Sequence, residues 1–190
     1  PQVDWFGTSM GALIGMGLAA LPDAPVRKMV MNDVGPTLNY EALSRIGSYI
    51  GEDVRFDSFQ QARTYIRTIS APFGPHTEQE WDKLAADVLR QTDDGRWRRH
   101  YDLALALPFK AMTQETAQQG EAALWAAYDA VRCPVLLVRG SESDLLTRET
   151  AQQMASRGPR ARLVELPGIG HAPTFMHDDQ IALARAFFLE

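Results

Sequence analysis

The chain of 190 residues is long enough for one globular core, and its 45% share of hydrophobic residues excludes intrinsic disorder. Its formal net charge of -5 argues against a nucleic acid or an anionic membrane as the main partner. No apolar run approaches the roughly 20 residues that span a bilayer, and the single cysteine, Cys133, can form no internal disulfide. We therefore expect a soluble, cytoplasmic protein, and we note that Pro1 is not a translation start.

Residues 3–20 contain the run Gly7-Thr8-Ser9-Met10-Gly11 between β-forming residues and good helix formers. This is the pattern of a serine nucleophile at a sharp strand-to-helix turn. In such a turn the entering and leaving chains lie close together, so Gly7 and Gly11 are expected to remove side chains that would collide. The following helix is expected to direct its N-terminus at the Ser9 oxygen and to favour an anion there.

A second strand is predicted at residues 26–32, and the helix between the two strands makes them parallel. A parallel sheet needs helices on both faces. Residues 37–130 then show helical periodicity with no strand signal, which predicts a separate layer of consecutive helices. Within this layer Ser58 and Thr77 are predicted N-caps, with Glu80 completing a capping box. The basic run at residues 96–100 is interpreted as a solvated loop.

The α/β pattern resumes with a predicted strand at residues 132–140, a helix at 148–156, a last strand at 162–166 and a closing helix at 178–189. Asp144 follows the first of these strands, and His171 lies in the loop behind the last. Functional groups of parallel α/β sheets gather where strands end. We therefore expect Ser9, Asp144 and His171 to meet.

These three residue types suit acyl transfer. A serine hydroxyl is a weak nucleophile at neutral pH and needs a base, and imidazole suits that task because its unperturbed pKa is about 6.5. His171 would be the base. A carboxylate on the other ring nitrogen fixes the tautomer and supports the transient cation, which is the role expected of Asp144.

The sequence resembles the α/β-hydrolase superfamily, in the lineage with a helical cap, and the resemblance covers the whole chain. It implies a mostly parallel sheet flanked by helices, with the core at residues 1–36 and 131–190 and the cap at 37–130. It also implies Ser9 as nucleophile, Asp144 as acid, His171 as base and the backbone N–H of Met10 as an oxyanion donor, with no cofactor and no metal. The matching motifs are GTSMG around Ser9, NDVGP at residues 32–36, SESD at 141–144 and GIGHAP at 168–173.

Two points stay open in this resemblance. Some relatives carry the acid after the earlier strand, which would be Asp33; we prefer Asp144 because a position after the penultimate strand is the commoner arrangement. Complete members also have strands before the elbow strand, with a second oxyanion donor in a loop among them. We therefore expect an N-terminal segment, or a second chain, to complete the sheet beside residues 3–6.

The resemblance and the cap composition predict hydrolysis of a small to medium, largely apolar carboxylic ester, lactone or thioester through an acyl-enzyme on Ser9. One alternative is carbon-carbon bond hydrolysis of a dienoate ring-cleavage product, with Arg45, Arg63 or Arg67 anchoring the substrate carboxylate. Another is a ligand-binding relative without turnover. A small molecule is the expected partner in each case.

Overall fold

The computed structural model describes residues 2–190, so Pro1, the first residue of the predicted core, lies outside the described residues. The described strands are, in chain order, β1 (Val3–Thr8), β2 (Val26–Asn32), β3 (Arg55–Phe56), β4 (Leu89–Gln91), β5 (Trp97–Arg99), β6 (Val135–Gly140) and β7 (Arg162–Leu166). The described α-helices are α1 (Met10–Ala19), α2 (Tyr40–Gly47), α3 (Phe59–Ile69), α4 (Glu78–Val88), α5 (Leu107–Ala111), α6 (Gln114–Ala130), α7 (Arg148–Ser156) and α8 (Asp178–Leu189).

The main sheet has four strands in the order β1-β2-β6-β7, and every pair is parallel. Thr8 at the end of β1 pairs with Asn32 at the end of β2, and Asn32 in turn pairs with Val138 of β6. The carboxyl ends of these strands therefore lie side by side. The loops that leave them form one edge of the sheet, which is where the sequence predicts the functional residues.

The sheet is covered on both faces, which explains why β2 and β6 are apolar without alternation. Met29 and Met31 of β2 face the main core under α1 and α6, whereas Val30 faces a second cluster with Phe187 of α8. In the main core Met16 packs with Trp125 and Tyr128, among others. The predicted layered arrangement is therefore present.

The segment between β2 and β6 contains more than helices. Strands β3, β5 and β4 form a small antiparallel sheet in that order, so the expectation of consecutive helices with no strand is wrong. These strands have only two or three residues each, too few to show an alternating pattern, and they are rich in arginine. The assignment of residues 37–130 to a cap stays a prediction, and α6 contributes Trp125 and Tyr128 to the main core.

The predicted helix starts in this segment are confirmed. Ser58 accepts a hydrogen bond from the Gln61 N–H at the start of α3, and Thr77 and Glu80 form a capping box at the start of α4. Helix α2 ends at Gly47. Within residues 2–190, no helix has the length and apolar character needed to cross a membrane.

Candidate active site

Ser9 sits at the turn between β1 and α1, with a backbone φ of 52° that few residues other than glycine adopt. A Cβ on Gly7 would lie 2.4 Å from the Gly11 carbonyl oxygen, so glycine is required there. A Cβ on Gly11 would meet nothing within 4 Å, and the expected collision at that position is therefore absent. The close approach that shapes the turn is between the Gly7 backbone and the first turn of α1.

His171 joins the serine to a carboxylate. Its Nε2 lies 3.0 Å from the Ser9 Oγ, and its Nδ1 lies 2.9 Å from the Asp33 Oδ2. The loop that carries His171 is tied to the sheet by Asn32, whose Nδ2 donates to the Pro173 carbonyl at 2.8 Å. The serine, the imidazole and the aspartate thus form one continuous chain of hydrogen-bond contacts.

Asp33 follows β2 directly and is fully buried. Besides the imidazole, its carboxylate accepts hydrogen bonds from the Gly140 N–H at 2.9 Å and from the Ser143 hydroxyl at 2.6 Å. The Ser143 oxygen in turn accepts the Leu146 N–H at 3.1 Å. These contacts satisfy a buried carboxylate without a cation and fix its orientation toward His171. Ser143 was not among the predicted site residues, although it lies directly before Asp144 in the SESD motif.

The expected contact between Asp144 and His171 is not present, and the preference for Asp144 over Asp33 is a wrong prediction of the pairing. Asp144 points away and is half-exposed, and its carboxylate accepts from the Arg45 guanidinium at 2.8 to 3.0 Å. The two aspartates follow the carboxyl ends of neighbouring strands, β2 and β6, so the sequence alone places both of them near His171. The Ser143 hydroxyl, one residue earlier, donates to the Asp33 carboxylate.

Met10 is the first residue of α1, and the N–H groups in the first turn of a helix have no partner inside that helix. Ser9 therefore lies at the N-terminus of α1, beside the positive end of the helix dipole. This arrangement suits an anion that develops on a substrate oxygen. The specific role of the Met10 N–H as an oxyanion donor stays a prediction.

Two cavities open on either side of Ser9. The larger, of about 410 Å³, is mostly apolar and also contacts His171, Tyr49 and Arg99. Burial raises the pKa of Tyr49, partly opposed by Arg45, so its phenol is neutral at ordinary pH. The smaller cavity, of about 180 Å³, contacts Met10 and is otherwise enclosed by apolar side chains. A substrate bound across Ser9 therefore meets apolar surface on both sides.

The arginines considered as anchors for a substrate carboxylate are all occupied. Arg45 pairs with Asp144, Arg63 pairs with Glu78 and Asp82, and Arg67 also pairs with Glu78.

The basic run at residues 96–100 is not a solvated loop throughout. Residues 97–99 form β5, and Arg99 is only 8% exposed. Side chains alternate across a strand, so Arg99 and Arg98 lie on opposite faces of β5, and no signal in the sequence indicates this strand.

Of the other histidines, His76 is half-buried, with its Nε2 2.9 Å from the Thr174 Oγ1. His177 is the N-cap residue of α8, and its Nε2 lies 3.4 Å from the Glu80 Oε1. Within residues 2–190 no cluster of histidine, cysteine and acidic side chains is suited to hold a metal ion.

Comparison with known proteins identifies relatives over nearly the whole chain. The chain is 53% identical over 190 residues to the 3-hydroxybutyrate-oligomer hydrolase of Cupriavidus necator, covering 98% of this chain and 65% of that protein. The crystal structure of an alpha/beta hydrolase from Novosphingobium aromaticivorans superimposes with a TM-score of 0.81 at 35% identity, covering 96% of this chain and 64% of the other. That of a Rickettsia typhi protein superimposes with a TM-score of 0.85 at 28% identity, covering 99% and 62%.

The chain thus spans just under two thirds of the length of these relatives. The model of the alpha/beta hydrolase family matches residues 1–186. The fold class expected from the sequence, a mostly parallel sheet flanked by helices, is confirmed by the family match and by the superposed structures. This chain belongs to the alpha/beta hydrolase family.

Proposed function

We propose that the protein hydrolyses carboxylic esters through an acyl-enzyme on Ser9, with His171 as the base and Asp33 as the acid. The observation that carries the proposal is the continuous contact from the Ser9 hydroxyl through the imidazole to the buried Asp33 carboxylate. The mostly apolar cavities on both sides of Ser9 support a small to medium, largely apolar ester, lactone or thioester.

In the proposed reaction His171 takes the Ser9 proton as the Ser9 oxygen bonds to the substrate carbonyl carbon. The bond to the alcohol oxygen then breaks, and His171 returns the proton to that oxygen. Water, deprotonated by the same imidazole, then attacks the acyl carbon. The bond to the Ser9 oxygen breaks, and His171 returns the proton to that oxygen as the acid is released. Asp33 holds the imidazole in the required tautomer and supports its transient positive charge.

The candidate substrates are short oligomers of 3-hydroxybutyrate. The support is the 53% identity to the 3-hydroxybutyrate-oligomer hydrolase of Cupriavidus necator, which extends over 98% of this chain. Such oligomers are carboxylic esters of small, branched, mostly apolar units. Their size and polarity suit the cavities of about 410 and 180 Å³ that meet at Ser9.

The alternatives have less support. Carbon-carbon bond hydrolysis needs an anchor for the dienoate carboxylate, and the three arginines considered for that role already pair with carboxylates. A ligand-binding protein without turnover has no need of a hydrogen-bonded serine, histidine and aspartate. Ester hydrolysis uses all three.

The test is hydrolysis of p-nitrophenyl butyrate and of a 3-hydroxybutyrate dimer by the full-length protein. We expect a burst of nitrophenol from the wild type, covalent labelling by a fluorophosphonate probe, and loss of both in Ser9→Ala. Ser156→Ala, on the exposed side of α7, is the matched control and should retain full activity. Unchanged turnover in Ser9→Ala would refute the acyl-enzyme, and absence of labelling in the folded wild type would favour the binding alternative.

We also propose that a further segment of the protein, or a second chain, pairs with β1. Among the described residues β1 has a strand partner on one side only, and Phe6 is 41% exposed. An unpaired edge with apolar side chains is unfavourable in water. A cytoplasmic location stays a prediction that rests on the lone free cysteine.

A further inference from the structure

Arg99 is a charged side chain of strand β5 that the proposed reaction does not use. It is 8% exposed and lies between the rings of Tyr65 and Tyr101, whose centroids are 5.6 and 5.0 Å from the guanidinium carbon. Its Nη2 donates to the backbone carbonyls of Tyr49 and Glu52, and its buried Nε has no partner. In the part of the chain that the structure describes, ion pairs engage neighbouring arginines such as Arg96 and Arg98, but none engages Arg99.

A guanidinium in this state is poised to bind an anion. Burying a charge is costly unless an opposite charge or a full set of hydrogen bonds compensates, and backbone carbonyls and aromatic faces compensate only in part. A carboxylate that reached Arg99 would gain charge-assisted hydrogen bonds in a site that is already shielded from water. Arg99 loses its hydration when the protein folds, so the free energy of anion binding does not include the cost of dehydrating the guanidinium.

The position of Arg99 links it to the reaction. Its side chain lines the same cavity of about 410 Å³ as Ser9 and His171. The cavity of about 180 Å³ on the other side of Ser9 has no charged side chain in its wall. A substrate with one charged and one apolar end therefore has a preferred orientation, with its charged end in the larger cavity.

We propose that Arg99 binds the free carboxylate of the substrate, and that the natural substrate is an ester whose chain ends in a carboxylate. This inference rests on the proposed ester hydrolysis at Ser9. In a dimer of 3-hydroxybutyrate the free carboxylate belongs to the half that leaves as the alcohol. That half then occupies the larger cavity, and the acyl half that bonds to Ser9 extends toward the smaller one.

The first experiment needs no variant. The wild-type, full-length protein is assayed with a 3-hydroxybutyrate dimer as the free acid and with the same dimer as its methyl ester. A hydrogen-bonded charge pair formed equally in the ground state and the transition state lowers KM without raising kcat, so we expect KM for the acid to be lower by about tenfold to a hundredfold. Equal KM values for the two dimers would overturn the inference while leaving ester hydrolysis intact.

The second experiment uses Arg99→Met, Arg99→Lys and, as a matched control, Arg98→Met on the opposite face of β5. Arg99→Met should raise KM for the acid to the value for the methyl ester, so that the ratio of the two KM values falls to about one. Arg99→Lys keeps the charge but not the planar fork, so its preference for the acid should be intermediate. Arg98→Met should keep the wild-type preference.

Each other outcome is decisive. A preference for the acid that survives in Arg99→Met would assign the carboxylate to another residue, and equal losses on all esters would assign Arg99 a structural role; both overturn the inference. A wild-type protein that hydrolyses none of the three esters would instead refute the proposed function, and the role of Arg99 would fall with it.

Discussion

The Asp33 carboxylate is surrounded by donors that no other aspartate of the site has. It accepts from the Gly140 backbone, the Ser143 hydroxyl and the His171 imidazole, and it is fully buried. Three donors on a buried carboxylate keep both of its oxygens in one orientation. Asp144, half-exposed and paired with Arg45, lacks any contact of this kind.

We therefore expect Asp33→Asn and Asp144→Asn to differ strongly. An amide in place of the Asp33 carboxylate would leave His171 without a negative charge to fix its tautomer and support its cationic form, so kcat should fall by about ten-thousandfold, as for the aspartate of serine proteases. Asp144→Asn should retain most of the activity. Steady-state kinetics on p-nitrophenyl butyrate, with thermal unfolding as a check on folding, measures both. A larger loss in Asp144→Asn than in Asp33→Asn would contradict the assignment.

Ser143 is expected to act as a positioning residue through Asp33. Ser143→Ala removes one donor from the carboxylate, and we expect kcat to fall by about tenfold with KM unchanged, the effect of one lost hydrogen bond. In an Asp33→Asn background the same substitution should add little, because the two side chains act as a unit. Ser143→Thr, which keeps the hydroxyl, should restore activity. Full additivity of the two losses would show that Ser143 acts independently of Asp33.

At the scale of the element, the strand-to-helix turn depends on one of its two glycines. Gly7→Ala would place a methyl group 2.4 Å from the Gly11 carbonyl oxygen, so we expect a loss of about 1–3 kcal/mol in unfolding free energy together with reduced kcat. Gly11→Ala meets open space, and alanine favours the helix, so its stability should be unchanged or higher. Urea unfolding of the two variants decides the matter. Equal losses of unfolding free energy in Gly7→Ala and Gly11→Ala would contradict the close approach between Gly7 and the first turn of α1.

The elements that the sequence predicted well have local signals of their own. The capping residues Ser58 and Thr77 fix the starts of α3 and α4. The apolar runs of β2 and β6 are long enough to predict buried strands. Strands β3, β4 and β5 carry no such signal, because pairing between chain segments far apart holds two or three residues in place.

The site residues, like the helices and strands, were predictable where a local sequence motif marks them. Ser9 and His171 stand in short motifs whose backbone geometry is local, and the structure brings them together. The choice between Asp33 and Asp144 depends on which of the two carboxylates, at the ends of adjacent strands, points toward His171. Asp33 adopts a φ of 58° directly after β2, a conformation that no composition or spacing in the sequence indicates. Arg99 was likewise hidden because its burial depends on strand β5.

For the whole molecule, arginine contacts make stability depend on pH. Hydrogen bonds from Arg157 hold the pKa of Asp129 below its ordinary value of 3.8, and arginines do the same for Asp53, Glu78 and Asp94. A carboxyl with a lowered pKa in the folded state stabilises that state above its unfolded pKa, and this stabilisation is lost as the pH falls through the folded pKa. We expect the unfolding free energy to be level above about pH 5 and to fall below about pH 4.

Asp129→Asn tests this dependence. Urea unfolding at pH 7 should show a lower unfolding free energy than the wild type. The difference should shrink at pH 3, below the ordinary pKa of 3.8, because Asp129 of the unfolded wild-type chain binds a proton there and favours unfolding. Asp23→Asn, at an exposed carboxylate with no ion pair in the described chain, is the matched control and should match the wild type at both pH values. A difference for Asp129→Asn that is independent of pH would contradict the electrostatic origin.

The contacts at Ser9 also set the order in which the molecule acquires reactivity. Ser9 and His171 are 162 residues apart in the chain, and Asp33 and His171 are 138 apart. They follow β1, β2 and β7, and among the described residues β1 and β7 are the outer strands of the main sheet. Helices form from local contacts early in folding, whereas such distant residues meet only after long loops have closed. Ser9 therefore becomes nucleophilic only after β1 and β7 have taken their positions in the sheet. During folding we expect the reactivity of Ser9 to appear later than the helix content.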